Sequence, residues 1–210
     1  MVALAWLSAS TTPRPTCVTP STCTARPAVG QGRPTPTTRS PSCGAAGPLR
    51  RALDHARQAL DLYQAAGDRR GHATTLNTVG WYHALLGEHE QALTYCQQAL
   101  NLLQELDDRP GQAATWDSLG YAHHHHLGHH NQAITCYGHA LDLVWDLGER
   151  YGEVTEFTHL GDTHHAAGNP DAARTAWRHA LTILDDLDRP DTDHFHADQL
   201  RTKLATLDRP

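Results

Sequence analysis

Residues 71–108 read G-H-A-T-T-L-N-T-V-G-W-Y-H-A-L-L-G-E-H-E-Q-A-L-T-Y-C-Q-Q-A-L-N-L-L-Q-E-L-D-D, and two variants of the same pattern follow. Gly80, Gly120 and Gly161 each follow an apolar residue, in T-V-G, S-L-G and H-L-G. Twelve or thirteen residues after each glycine stands an alanine (Ala92, Ala133, Ala173), and seven later a second one (Ala99, Ala140, Ala180). An internal period of about forty residues is the signature of stacked helical hairpins, each burying its apolar face against its neighbours. Leu76, Val79 and Gly80 share one face of a helix A over 71–86. Ala92, Leu93, Cys96, Ala99, Leu100 and Leu103 recur at three-and-four spacing on a helix B over 90–106. Gly87, Gly128 and Gly168 stop helix A where a left-handed turn is easiest for glycine, and Asn169-Pro170 restarts a helix. The fold class is therefore all-α, a right-handed α-solenoid of helical hairpins. Such arrays mostly bind other molecules.

Glycine inside a helix costs about 1 kcal/mol against alanine, so its recurrence needs a packing reason. Gly80, Gly120 and Gly161 are expected to let helix B approach helix A, with Ala92 and Ala99 and their counterparts as the facing small surface. Cys96 and Cys136 read as matching positions that take a small apolar side chain. Cys17, Cys23 and Cys43 lie in an irregular N-terminal stretch, and no C-x-x-C pair points to zinc or redox chemistry. A reduced, cytoplasmic setting follows as the expectation.

The net charge of −6, with a pI near 6.2, argues against a nucleic-acid surface, which needs a basic stripe. No stretch approaches the ~20 apolar residues of a membrane span. Met1 to Leu7 is apolar but short, and lacks the charged region of a secretory leader. Residues 11–48 are rich in Thr, Pro, Ser, Arg and Gly, with no periodic apolar pattern, and read as a disordered tail. A second reading is a shifted frame. Displaced by one nucleotide, Thr11 to Thr24 can encode D-D-A-Q-T-H-L-R-H-A-L-D-L-Y, close to R-A-L-D-H-A-R-Q-A-L-D-L-Y at Arg51 to Tyr63. Resequencing the locus tests this, since no displaced frame should restore a repeat if the tail is genuine. The expected domains are thus a disordered or frame-shifted segment 1–47, repeats over 48–190 (one half repeat and three full ones), and a capping helix in 191–210.

The pattern resembles tetratricopeptide repeats. Leu76, Gly80, Ala92 and Ala99 match that family's apolar, Gly, Ala and Ala positions, as do Trp116, Gly120, Ala133 and Ala140, and Phe157, Gly161, Ala173 and Ala180. The family's helix-A tyrosine is replaced by His83, His123 and His164. The junctions Asp68-Arg69-Arg70-Gly71, Asp108-Arg109-Pro110-Gly111 and Glu149-Arg150-Tyr151-Gly152 are similar to those of a narrower, forty-residue type. With Leu160-Gly161-Asp162-Thr163-His164-His165, Ala172-Ala173-Arg174 and Asp188-Arg189-Pro190, they resemble the C-terminal repeat region of actinomycete antibiotic-regulatory (SARP/NB-ARC type) transcriptional activators. In that family a DNA-binding domain and a nucleotide-binding switch domain precede the repeats. Neither is expected within this sequence, which has no G-x-x-x-x-G-K-[ST] loop and no room for a winged helix. The resemblance implies a detached sensor region whose partner is a protein or peptide, with an upstream-encoded nucleotide-binding domain as one candidate. It implies no direct contact with nucleic acid or membrane.

Helix A side chains line the concave surface of stacked hairpins. By register, a partner is expected to meet Asn77, Trp81 and Leu85 with Ala84, then Asp117, Tyr121, His124 and His125, then Thr158, Asp162 and His165. Trp81 and Tyr121 are the expected anchors, because aromatics dominate interface energetics; the bland alternative is that they cover joints between repeats. Carboxylate-clamp repeats use lysine, arginine and asparagine on this face. The single lysine here is Lys203, in the last helix, so a Glu-Glu-Val-Asp terminus is not the expected ligand. Asp117 and Asp162 favour a neutral or basic segment instead.

His123 to His126, with His129, His130, His164 and His165, form the most tempting metal-like cluster. It coincides with the one-residue insertion and reads as surface and packing histidine, so no metal or other cofactor is assigned. Ser118 and the cysteines have neither a glycine-rich elbow nor a base partner, so no catalytic residue is assigned and no enzyme is expected. Arg50 to Ala66 reads as a helix B without its helix A. Leu53, Ala56 and Leu60 are expected to lie exposed there, with self-association or fraying as the result. Two functional readings remain. One is an interaction scaffold from a bacterial regulator. The alternative is a non-functional fragment of a disrupted regulator gene.

Overall fold

A computed structural model describes residues 46–187 and 193–207, without the side chains of residues 126, 127 and 193–196. The expected tail and shifted frame fall almost wholly outside the described residues; a helix already runs at Ala46 and Gly47. Among the described residues there are eight helices and no strand: α1 (Ala46–Ala66), α2 (Arg69–Leu85), α3 (His89–Glu105), α4 (Arg109–Leu127), α5 (His130–Leu147), α6 (Arg150–Ala166), α7 (Pro170–Leu187) and α8 (Asp193–Leu207). The hairpins α2/α3, α4/α5 and α6/α7 are the three full repeats, each helix packing on the next in chain order. The array is a tetratricopeptide-like helical solenoid, as the period requires.

The junction motif has a physical reason at each letter. Asp68 and Asp108 are N-caps: their Oδ1 atoms accept from the backbone N–H of Gly71 (2.9 Å) and Gly111 (3.1 Å). The arginine that follows reaches the far end of its own hairpin, in Arg69–Glu105 and Arg109–Asp146 (2.6 Å each) and Arg150–Asp186 (3.5 Å). The glycine makes room for the preceding helix B. A Cβ at Gly111 would lie 2.6 Å from Leu103 Cδ2, and one at Gly152 would lie 3.0 Å from Val144 Cγ1.

The mid-helix glycines are seats for large side chains. A Cβ at Gly120 would stand 2.6 Å from the Tyr137 ring, and one at Gly161 would overlap the Trp177 ring, as one at Gly80 would overlap Cys96 Sγ. This corrects the expectation of a facing alanine surface. Ala92, Ala99 and their counterparts are fully buried, but what fills the glycine hole is the residue four after the first alanine. It also corrects the cysteine alignment. Counting from Ala92, Ala133 and Ala173, the equivalent of Cys96 is Tyr137 and then Trp177; Cys136 lies one position earlier. The insertion lengthens the end of α4, which runs to Leu127 before Gly128 turns left-handed at φ 61°.

α1 also departs from expectation. Leu53 and Ala56 are buried, at 4% and 8% exposed, packed with Leu60 against Val79, Tyr82, Leu86 and Tyr95. That face is the one a helix B turns toward the next repeat. The open side carries Leu62 (71% exposed), while Tyr63, 40% exposed, has its ring seated over Gly71 of α2, where a Cβ would overlap it. Tyr63 stands forty residues before Leu103, which is wholly buried against its own helix A.

Candidate functional site on the A-helix face

Each A helix repeats its register every forty or forty-one residues, so equivalent side chains form rows across the array. One row is Trp81, Tyr121, Asp162 and, in α8, Lys203. Trp81 meets Tyr121 edge to face at 4.7 Å, and Tyr121 lies 4.2 Å from the His125 ring. Asp162 is fully engaged: Lys203 Nζ donates to both its oxygens (2.6 and 2.7 Å), and Trp177 Nε1 donates at 3.0 Å. The aromatics thus bridge adjacent repeats, and the carboxylate expected to meet a partner holds α8 in place.

The other expected positions divide by burial. Asn77 is only 6% exposed, and its Oδ1 accepts from the Cys96 thiol at 3.6 Å. Ala84 is sealed against Ala92 and Ala122, so neither presents itself at the surface. Leu85, Asp117, Tyr121, His124 and Thr158 are half-buried, while His125 and His165 are exposed. The Thr158 hydroxyl turns back onto its own helix, donating to Val154 O at 2.7 Å.

Burial lowers the basicity of the histidines at the end of α4. His124 is pushed down to about 4, by desolvation first and then by the charges of His125 and His130. His123 and His125 are also lowered, desolvation leading in both. These rings pack on one another, with His123–His129 and His124–His130 centroids 5.8 Å apart. The thiols are no better placed for chemistry: burial pushes Cys96 up to about 12 and Cys136 to about 11, leaving them as protonated core side chains.

A different group converges. Asp117 of α4 and Glu156 and His159 of α6 offer ligand atoms that all lie within 4.8 Å of one another. His159 Nδ1 pairs with Asp117 Oδ1 at 2.8 Å. Burial disfavours the imidazolium, but the Asp117 charge and hydrogen bond outweigh it, and the net shift of His159 is upward. Glu156 is 4% exposed, and its Oε2 has no hydrogen-bond partner among the described residues. Desolvation, then the neighbouring Asp117, raises its carboxyl well above the usual carboxylate range. Sequence reasoning named Asp117 and missed the other two. The signal was present, because Glu156 falls in the row of Thr75 and Thr115, a buried row where a carboxylate is out of place.

The tetratricopeptide repeat family profile matches residues 43–102 and 82–144. Among solved structures, the crystal structure of BtubC (BKLC) from P. vanneervenii superposes with a TM-score of 0.61 at 23% identity. The match covers 69% of this chain and 61% of that one, so the chain spans less than two thirds of that structure's length. No curated protein sequence matches.

Proposed function

We infer that the chain works through protein–protein interaction, which tetratricopeptide repeats of the kind matched at residues 43–102 and 82–144 generally mediate. We propose that the A-helix face binds a neutral or basic protein or peptide segment, and that the array is the sensor part of a bacterial transcriptional regulator working in the cytoplasm without catalysis of its own. The observation that carries the binding reading is the unbroken run of ring contacts from Trp81 to Tyr121 and from Tyr121 to His125, on the helix that also carries the half-buried Asp117. No helix among the described residues is long and apolar enough to cross a membrane. The regulator context rests on the junction motifs and their resemblance to actinomycete activators, with an upstream-encoded nucleotide-binding domain as the first partner to try. Segments selected from a displayed peptide library are to be titrated calorimetrically against wild type, Trp81→Ala and Tyr121→Ala. At least tenfold weaker binding is expected in both variants. Unchanged affinity in both would place the binding surface elsewhere.

The open side of α1 supports a second reading. Leu62 sits where a helix A would cover it, and no such helix precedes α1 among the described residues. Self-association would cover this side, and a disrupted regulator gene would account for its exposure. Light scattering of wild type and Leu62→Ser tests the first, and an out-of-frame repeat upstream in the genome tests the second.

A further inference from the structure

We propose that Asp117, Glu156 and His159 hold a divalent first-row transition ion, zinc foremost, on the A-helix face between the second and third repeats. The repeats serve as internal controls for this site, independently of any partner on the same face. In the first two repeats the buried row position is Thr75 and Thr115, whose hydroxyls donate to the carbonyls of Gly71 (2.7 Å) and Gly111 (2.8 Å). The third repeat carries Glu156 there, equally buried, with Oε2 unpartnered. A buried charge without a partner is costly, and a threonine would have satisfied the fold. The next row changes in the same repeat. Thr78 and Ser118 bond their own helix backbone at 3.0 Å, whereas His159 turns across to Asp117. In the row of Asn77 and Thr158 the charged member is Asp117. Three departures from the repeat pattern thus meet at one point.

The donor set, one imidazole nitrogen and two carboxylates, suits zinc and its neighbours. Metal–ligand bonds of about 2.0–2.2 Å place ligand atoms roughly 3–3.5 Å apart, so a spread within 4.8 Å closes by small side-chain shifts. The buried Oε2 admits a dehydrated ion without opening the joint, which an alkylammonium or guanidinium would require. On loading, the ion takes the place of the proton between His159 Nδ1 and Asp117 Oδ1, and that proton leaves to solvent together with the one that the buried Glu156 carboxyl holds. Three protein ligands leave a fourth position for water.

The test uses the full chain, tag-free and stripped with EDTA, titrated with zinc ion alone. Wild type is expected to bind one tight equivalent, with at least tenfold loss in Glu156→Thr, the residue its sister repeats carry, and in Asp117→Asn. A combined His124→Gln/His125→Gln/His130→Gln variant is expected to keep that equivalent. Cobalt loading should give visible d–d absorption in wild type that Glu156→Thr lacks. Metal-free melting of Glu156→Thr at or above wild type shows that any loss is not misfolding; if that variant fails to fold, Glu156→Gln replaces it. Equal zinc affinity in wild type and the Glu156 variant, or loss of the tight equivalent in the histidine-run variant, overturns the assignment.

Discussion

At Gly120 the missing side chain has a definite occupant. The Tyr137 ring fills the space where a Cβ would stand, 2.6 Å away. Gly120→Leu should therefore destabilise the array by about 3 kcal/mol, the upper range for overpacking a tight core. Denaturant unfolding followed by circular dichroism reads this, and an unchanged midpoint would refute the seat. Asp107 gives the opposite sign. It is the described non-glycine residue with positive φ, at 50°, and its equivalents in the neighbouring junctions are Gly67 (70°) and Gly148 (69°). Left-handed backbone costs an L-residue roughly 1–2 kcal/mol, against about 0.5–1 kcal/mol of chain entropy for glycine. Asp107→Gly should raise the calorimetric melting temperature slightly; a fall would mean that Asp107 is held there by a contact of its own. Sequence alone made the glycine recurrence legible. The identity of the residue over each glycine was not, because it depends on which side of helix B turns inward.

Among the elements, α4 is the irregular member, and its irregularity is electrostatic as well as geometric. It is two residues longer than α2 and α6, and its last turns carry His123, His124 and His125. Their folded-state proton affinities are lowered, His124's to about 4, from an ordinary value near 6.5. The sign follows from linkage. At these three residues the unfolded chain binds more protons than the folded one between those values, so their contribution to stability is full above about pH 6.5 and declines as pH falls toward 4. Melting temperature should drop across that window, and His124→Gln should flatten the drop. An identical pH profile in the variant would show that His124 is already protonated in the fold. The elements themselves were legible from periodicity, capping and glycine stops. The packing of α1 was not, since Leu53, Ala56 and Leu60 are apolar on either assignment and only contact with Val79 and Tyr82 decides which side is covered.

Across the whole array, the last helix is tied back by two charges, Lys203 on Asp162 and Arg201 on Asp185 at 3.6 Å. Lys203 reaches back to Asp162 and lies 5.7 Å from the Trp177 ring centroid, while Ala197 and Leu200 bury against Trp177, Ile183 and Leu184. In a repeat array each unit is stabilised mainly by its neighbours, so loosening the end propagates weakly. Lys203→Ala should speed amide exchange in α8 and the facing side of α7 while leaving α2 and α3 unchanged. Uniform acceleration along the chain would contradict this nearest-neighbour behaviour. Length, period and the glycine–alanine spacing by themselves determined an all-α hairpin solenoid and the rows of its A-helix face, because helical register is a local property. Tertiary structure alone decided which members of those rows are free. Asp162 is taken by Lys203, Asn77 is buried beside Cys96, and Glu156 is brought to the Asp117–His159 pair. Those outcomes depend on residues 19 to 42 positions apart in sequence, whose approach is set by how the two helices of a hairpin, and successive hairpins, stack.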